Sequence, residues 1–439
     1  MYRYKNNKLI FSATDLVTFL GCRHATFLDR RHVDEPYELP DEDPYLELLQ
    51  QKGNEHERAY RDKLAASGLE VVDIPTKQSL EERTALTRAA MAAGAEVIYQ
   101  GAFLDGRWHG YADFLLRVPG KSALGDFHYE PVDTKLAHGV KPKHVLQLGV
   151  YADLVSRVQG RAPERLQVVL GTGEQVTLPA HDFHYYLALA RDRFQAYVDA
   201  IPSTSAGEPC SACDLCRWRE RCEGEWEAAD HLSLVAGISS SQIEKLNAAG
   251  VTTMAQLGVI PPATKITSLQ PQTLTRLRTQ ARLQNDKRQD GKNRHELLPP
   301  VEGKGFARLP RLNAGDLFFD MEGDPLIEGG LEYLFGFAYL EDGKTAFTPF
   351  WGHDRAAESA AFEAAMDFIN DRLAAYPDAH IYHYASYEES ALKRLAMLHG
   401  TRETQVDNLL REGKLVDLYK VVREAVQVTV QPTDLDVKV

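Results

Sequence analysis

The spacing of apolar and polar residues divides the chain into three stretches of different texture. From about residue 10 to 225, helical and strand patterns are mixed. Ser12 and Asp15 form a capping pair that predicts a helix through Leu16, Phe19 and Leu20 to Cys22. Leu46, Leu48 and Leu49 mark a second helix from Tyr45 to about Ala65. Val97–Leu104 and Arg107–Val118 read as strands joined by Asp105-Gly106, a strong hairpin turn. A strand over Tyr129–Leu136, a helix over His144–Val158, an apolar β-branched strand over Arg165–Leu170 and a helix over Ala180–Ala200 follow.

Residues 226–300 are more polar and read as all-helical. Gly250 separates a helix over Ser241–Ala249 from one starting within Val251–Leu257. This loosely resembles a helix-hairpin-helix unit, whose backbone amides can hold a phosphate; a small helical linker is the plainer alternative. From about 308 the texture changes again. Leu317–Phe319 is an apolar strand ending in Asp320, and strands over Glu332–Leu340 and Thr345–Phe350 flank an Asp342-Gly343 turn. A helix (Ala356–Ala374), a strand (His380–Tyr384) and a helix (Tyr387–Leu398) follow. That order is the opening of an RNase H-like fold. Val428–Val439 offers no closing helix, so this domain is expected to be truncated.

A chain of 439 residues exceeds one compact core, which supports several domains. Apolar and charged contents of 44% and 26% are ordinary for a globular protein. No apolar run reaches the roughly eighteen residues a membrane span needs. Met1–Ile10 lacks the apolar segment of a secretory signal, so the cytoplasm is the expected location. A net charge of −13 argues against passive whole-surface binding of nucleic acid, yet a local basic groove suffices for phosphate contacts. Arg276, Arg278, Arg282, Lys287, Arg288, Lys292 and Arg294 form one local run, either a solvated helix face or a DNA track.

The chemistry concentrates in residues 109–151. His109-Gly110-Tyr111-Ala112-Asp113 lies on one hairpin arm and Asp133-Thr134-Lys135 on the next strand. Residues two apart on a strand share a face, so Asp133 and Lys135 project together and Asp113 can converge on them. Two carboxylates suit Mg²⁺ or Mn²⁺, and a neighbouring lysine can orient an attacking water or stabilise a pentavalent phosphate. Gln147 and Tyr151, four apart on a helix, share a face that can touch a DNA backbone. Upstream, Gly53-Asn54-Glu55-His56-Glu57 sets a histidine and two acids on a helix, with His56 a candidate further ligand.

This ordered set, a helix histidine, G-x-x-D, D-x-K and Q-x-x-x-Y, resembles the RecB-type PD-(D/E)xK nucleases, including the AddB subunit and the CRISPR-adaptation exonucleases. The resemblance covers about residues 12–222. It implies a restriction-endonuclease-like α/β domain over 1–225, in which His56, Asp113 and Asp133 bind metal. Lys135 is then catalytic, with Gln147 and Tyr151 as an accessory pair. The remaining divisions are a helical linker over 226–300 and a partial RNase H-like α/β domain over 308–439.

Four of the five cysteines, Cys210, Cys213, Cys216 and Cys222, crowd together, and Cys22 stands far upstream. In a cytosolic protein such crowding points to metal ligation rather than disulfides. Cys22 with Cys213-x2-Cys216-x5-Cys222 supplies four thiolates, which suit a [4Fe–4S] cluster or a structural Zn²⁺. The resemblance implies the iron–sulfur cluster and leaves Cys210 spare, although Cys210-x2-Cys213 is a rival pair. Arg217, Trp218, Arg219 and Arg221 are either DNA contacts or packing groups.

A second constellation begins with Asp320-Met321-Glu322, whose carboxylates share a strand face. It resembles the first motif of DnaQ-type 3′–5′ exonucleases, with Glu388 at the place of the second-motif aspartate and Asp417 as a further acid. Glutamate in place of that aspartate, and the lack of a closing H/Y-x-x-x-D, depart from the pattern. Nuclease, linker and RNase H-like domains in this order resemble putative bacterial RecB-like nucleases with a YprB-type domain, whose longer members continue into a helicase. The chain has no G-x-x-x-x-G-K-[ST] loop, so an ATPase would be a separate partner. The expected function is metal-dependent hydrolysis of DNA in repair or recombination, exonuclease before endonuclease. The alternatives are a non-catalytic DNA-binding module with a structural metal, and a 3′–5′ exonuclease acting through the C-terminal domain.

Overall fold

The computed structural model describes residues 1–39, 44–327 and 329–429. The expectation about a missing closing helix falls mostly on residues 430–439, outside the described residues. The chain divides into two compact units, Met1–Glu223 and Gly224–Val439.

In the first unit, α1 (Ala13–Gly21) starts at Ser12 with the expected capping box, Ser12 N donating to Asp15 Oδ2 at 2.7 Å. Cys22 closes α1 and caps α2 (Arg23–Asp34), its sulfur accepting from Ala25 N at 3.4 Å. Next come α3 (Pro44–Ala66), β1 (Val71–Asp73) and α4 (Leu80–Ala93). The hairpin β2 (Val97–Asp105) and β3 (Trp108–Ser122) continues into β4 (Gly125–Lys135). The arms of β3 and β4 outrun the expected ends at Val118 and Tyr129, because the strands pair through Pro119 with only a local register shift. Then follow α5 (Pro142–Gln159), β5 (Arg165–Leu170), β6 (Gln175–Pro179) and α6 (His184–Asp199). The helix expected from Ala180 begins instead with a short 3-10 turn over Ala180–Asp182.

The six strands lie in chain order, with β1–β2 and β4–β5 parallel and the other neighbours antiparallel. Tyr60 of α3 packs with Val97, Phe114, Val132 and Val169 of the sheet. A larger core gathers Ile98, Leu115, Tyr129 and Val168 with Leu148, Tyr151 and Val155 of α5. Burial of this continuous apolar surface is the main stabilising term.

The second unit opens with α7 (Ser240–Ala248), α8 (Met254–Val259) and α9 (Pro271–Asp290), closed on Leu232, Ile243, Leu246, Met254, Leu257 and Leu277. Helix α8 starts at Met254 rather than Val251, because the Thr253 hydroxyl accepts from Gln256 N at 3.1 Å. Three cations of the basic run on and just after α9 are ion-paired, Arg282 with Glu296, Arg288 with Asp230 and Arg294 with Asp290.

Beyond the linker come β7 (Leu317–Asp324), β8 (Leu331–Glu341), β9 (Lys344–Trp351), α10 (Arg355–Ala375), β10 (Ile381–His383), α11 (Tyr387–His399), α12 (Glu403–Arg411), β11 (Leu415–Asp417) and α13 (Leu418–Ala425). The sheet order is β9-β8-β7-β10-β11, antiparallel across the first three strands and parallel for β7–β10 and β10–β11. Leu317, Phe319 and Met321 face Phe362, Met366 and Leu392 in its core. This is the strand order and direction of an RNase H-like sheet. No helix among the described residues is long and apolar enough to cross a membrane.

Candidate catalytic sites

The first site lies where β3 and β4 part. Their antiparallel pairing ends at Phe114↔Val132, so Asp113 and Asp133 are the next residues on each strand. Beyond that point β4 keeps its bonds to β5, through Asp133↔Val168 and Lys135↔Leu170. Strand separation opens room between two carboxylates without unfastening either. Thr134 donates to Asp113 Oδ2 through its amide at 2.8 Å and its hydroxyl at 3.0 Å.

Asp133 has no solvent exposure, and Lys135 Nζ lies 2.5 Å from its Oδ2. Burial first, then the charge of Asp113, pushes the Asp133 carboxyl well above the usual range. From α5, Gln147 Nε2 donates to Tyr151 Oη at 2.9 Å and to Asp133 Oδ1 at 3.4 Å. Tyr151 is raised by burial and by Asp133. Gly110 of the G-x-x-D segment makes this possible, since a side chain there would start 2.8 Å from Tyr151 Cε1. Gln147 and Tyr151 therefore brace the carboxylate.

Burial, followed by Lys135, Lys143 and Lys141, holds His144 down at about 4.

His56 Nε2 stands 3.5 Å from the Val169 carbonyl oxygen. The next residue, Glu57, is the acid that joins the site. It is buried, hydrogen-bonded to Gln100 and Tyr99, and raised first by burial and then by Asp113. Sequence reasoning noted the acid but gave it no role. Its signal was the spacing to Tyr60, three residues on, which places both on the sheet-facing side of α3.

Cysteines from both ends of the first unit meet. Cys210 Sγ lies 3.9 Å from Cys213 Sγ and 3.7 Å from the Gly21 carbonyl oxygen. Cys22 is raised by burial, and both Cys210 and Cys216 are its electrostatic neighbours. Cys213 likewise senses Cys210 and Cys22. Cys210 thus lies in the thiol patch beside Cys213 and Cys22. Cys222 is buried, its sulfur 3.3 Å from where a side chain on Gly207 would begin. Trp218 is 3% exposed and donates to Asp29 Oδ1 at 2.8 Å, while Arg217 pairs with the same oxygen. Arg219 pairs with Glu223, and Arg221 lies over the Tyr37 ring. Trp218 is therefore a packing group, whereas Arg217, Arg219 and Arg221 are exposed.

In the second unit Asp320 and Glu322 share the β7 face opposite Phe319 and Met321. Burial, then Glu388, raises the Asp320 carboxyl, with Glu322 adding to it. Glu388 is buried in the first turn of α11, 3.3 Å from His383 Nδ1. Asp417 accepts from Ala385 N at 3.1 Å and caps α13. The expected acids therefore converge at one end of the sheet.

Among the described residues no three His, Cys, Asp or Glu side chains stand at metal-ligand spacing. Hard oxygen donors at both acid sites, and a fully buried Asp133 Oδ2 without an aligned hydrogen bond, nonetheless fit a divalent cation. A family model of the RNase H superfamily matches residues 317–435. That stretch contains the whole five-stranded sheet, and the chain carries an RNase H-like domain at this end. No curated protein matches the chain.

Proposed function

We propose that the chain is a metal-dependent nuclease whose main active site lies in residues 1–225, with DNA as substrate. The observation that carries this reading is the convergence of Asp113, Asp133 and Lys135 at the parting of β3 and β4. Asp113 and Asp133 would hold Mg²⁺ or Mn²⁺, and His56 borders them on α3. A bound divalent ion supplies a Lewis acid for the phosphoryl oxygen and makes hydroxide accessible near neutral pH. Lys135, released from Asp133 when a cation takes that carboxylate, is placed to orient the attacking water or to stabilise the pentavalent phosphate. Gln147 fixes the Asp133 rotamer, and Tyr151 excludes water behind it. Lys141 and Lys143 face the flanking phosphates, giving salt-dependent binding.

Cysteines 22, 213, 216 and 222 would carry a [4Fe–4S] cluster, or Zn²⁺, with Cys210 as a fifth thiol of the patch. Such a staple joins α1 and α2 to the far end of the unit and removes loop-closure entropy from the unfolded chain. Anaerobically purified protein is then brown and iron-bearing; a colourless, zinc-bearing sample replaces the cluster with the simpler ion.

A second reading, 3′–5′ exonuclease action through Asp320, Glu322 and Glu388, is favoured by their convergence and by the RNase H superfamily match. The proposed setting is repair or recombination beside a separate helicase. The test is digestion of single-stranded DNA with Mg²⁺ by Lys135→Ala. A loss of about 100-fold or more is expected. Digestion at the wild-type rate ends the assignment to the first site.

A further inference from the structure

We propose that Phe347 and Trp351 on β9 form a stacking platform for the unpaired bases of a single nucleic-acid strand, beside the acids of the second unit. This rests on the reading of Asp320, Glu322 and Glu388 as a nuclease site and names the state of its substrate, a strand whose bases are free.

The sheet of the second unit packs one face against its helices, through Leu317, Phe319 and Met321. The opposite face is apolar yet open. Phe347 is 54% exposed and Trp351 51%, and Phe318 of β7 is exposed as well. Contiguous exposed apolar surface of this kind marks an interaction site. Strand register fixes where the rings stand. Trp351 is opposite Leu334, which is opposite Glu322, and Phe347 is opposite Ala338, which is opposite Phe318. The rings of β9 and the acids of β7 are therefore two strands apart on one face, about 10 Å. Between them β8 places Gly336, opposite Asp320 and without a side chain. The Phe347 ring leans over that gap, since a side chain on Gly336 would start 3.1 Å from its Cε2 and Cζ. A shallow trough results, with carboxylates on one side and aromatic rings on the other.

Trp351 is also oriented in advance. Its ring is nearly parallel to those of Tyr333, 6.4 Å away at 12°, and His353, 5.6 Å away at 26°. On β7, Phe318 is stacked on Tyr382 at 5.2 Å. Rings held in plane while still exposed lose little side-chain entropy when a further ring stacks on them.

The occupant follows from what shares the face. A backbone bound at Asp320 and Glu322 carries its bases outward across the trough, toward the β9 rings. Every base has a π-face, so stacking accepts any sequence. Bases of a duplex are already paired and stacked on each other, and only a single strand offers them. A second copy of the chain fits this face less well. A two-fold interface brings the same patch of each subunit together, and it would press Asp320 and Glu322 of both copies into one apolar contact.

The experiment is photo-cross-linking of the full chain to a single-stranded oligothymidylate carrying 5-iodouracil, with Ca²⁺ in place of Mg²⁺, and mass spectrometry of the linked peptide. The companion measurement is tryptophan quenching, because Trp351 is the one exposed tryptophan of four. Cross-links on β9 are expected, with quenching by the single strand, none by a blunt duplex, and none in Trp351→Leu. Phe347→Leu keeps Trp351 as reporter and removes one ring; its quenching midpoint is expected to rise about fivefold or more, while Phe347→Tyr stays near wild type. Circular dichroism checks that each variant is folded. A wild-type midpoint in Phe347→Leu, or cross-links absent from β9, overturns the platform even where Asp320→Asn shows that this unit cuts. Cross-links on β9 in a protein whose DNA digestion Asp320→Asn leaves untouched uphold the platform and overturn the exonuclease reading. A duplex that quenches as strongly as the single strand overturns the preference for unpaired bases. Concentration-dependent dimerisation that is lost in Trp351→Leu, without β9 cross-links, assigns the face to a second copy instead.

Discussion

Asp133 is the residue on which the first site turns, because its carboxylate is fully buried and lies beside a second acid. Its folded pKa exceeds its unfolded value, so between those two values the native state holds more proton than the unfolded chain. Stability therefore falls as pH rises from about 4 through the raised value, and the penalty is complete above it. Glu57 contributes in the same direction. Two measurements follow. Asp133→Asn removes the charge at constant volume, so in the presence of a chelator at neutral pH it is expected to be more stable than wild type. A gain of about 1 kcal/mol is roughly 2–4 °C in a unit of this size. Added Mn²⁺ should raise the wild-type unfolding temperature and leave the variant's nearly unchanged. Wild type more stable than Asp133→Asn without metal, across the whole pH range, would show that the carboxylate is a structural ion-pair partner and nothing more.

At the scale of elements, the packing of α5 on β3 decides whether Gln147 reaches Asp133. Gly110 permits that approach: a methyl group there would lie 2.8 Å from Tyr151 Cε1, 3.0 Å from Cδ1 and 3.2 Å from Leu154 Cδ1. Gly110→Ala is expected to displace the tyrosine, cost about 1–3 kcal/mol and reduce DNA cleavage, with Gly110→Ala/Tyr151→Phe no worse than Gly110→Ala alone. Additive losses in the double variant would separate the glycine from the tyrosine. This glycine was legible in the sequence as part of G-x-x-D, but its reason was not, since the neighbour lies on another element. The same holds elsewhere. The capping box at Ser12, the Asp105-Gly106 hairpin and the D-x-K pair depend on residues within a few positions of each other, and local patterning exposes them. The left-handed Gln100, the burial of Trp218 on Asp29, and the arrival of Cys210 beside Cys22 depend on chain segments far apart. No local pattern carries them.

At the scale of the whole molecule, two acidic sites occupy separate compact units, one on the six-stranded sheet and one on the five-stranded RNase H-like sheet. Their electrostatics differ. In the first, a lysine on the same strand lies against the buried carboxylate and supplies a cation for phosphate chemistry. In the second, Asp320 senses Glu388 and Glu322, His383 Nδ1 lies 3.3 Å from Glu388, and Lys420 lies 3.5 Å from Asp417. Both sites offer carboxylate oxygens, but among the described residues only the first pairs its acids with a strand-borne lysine in the D-x-K arrangement. Removing a charge at each site therefore tests which unit cuts. Asp113→Asn is expected to abolish most Mg²⁺-dependent loss of single-stranded DNA, while Asp320→Asn leaves most of it. The two losses should be independent, because sites in separate units share no side chain. The reverse pattern, with 3′-labelled substrate shortened stepwise by Asp113→Asn and spared by Asp320→Asn, moves the activity to the RNase H-like unit. The same two variants on RNA decide whether that unit prefers a different nucleic acid, since a 2′-hydroxyl is the one feature by which a site of this kind separates the two polymers at the cut.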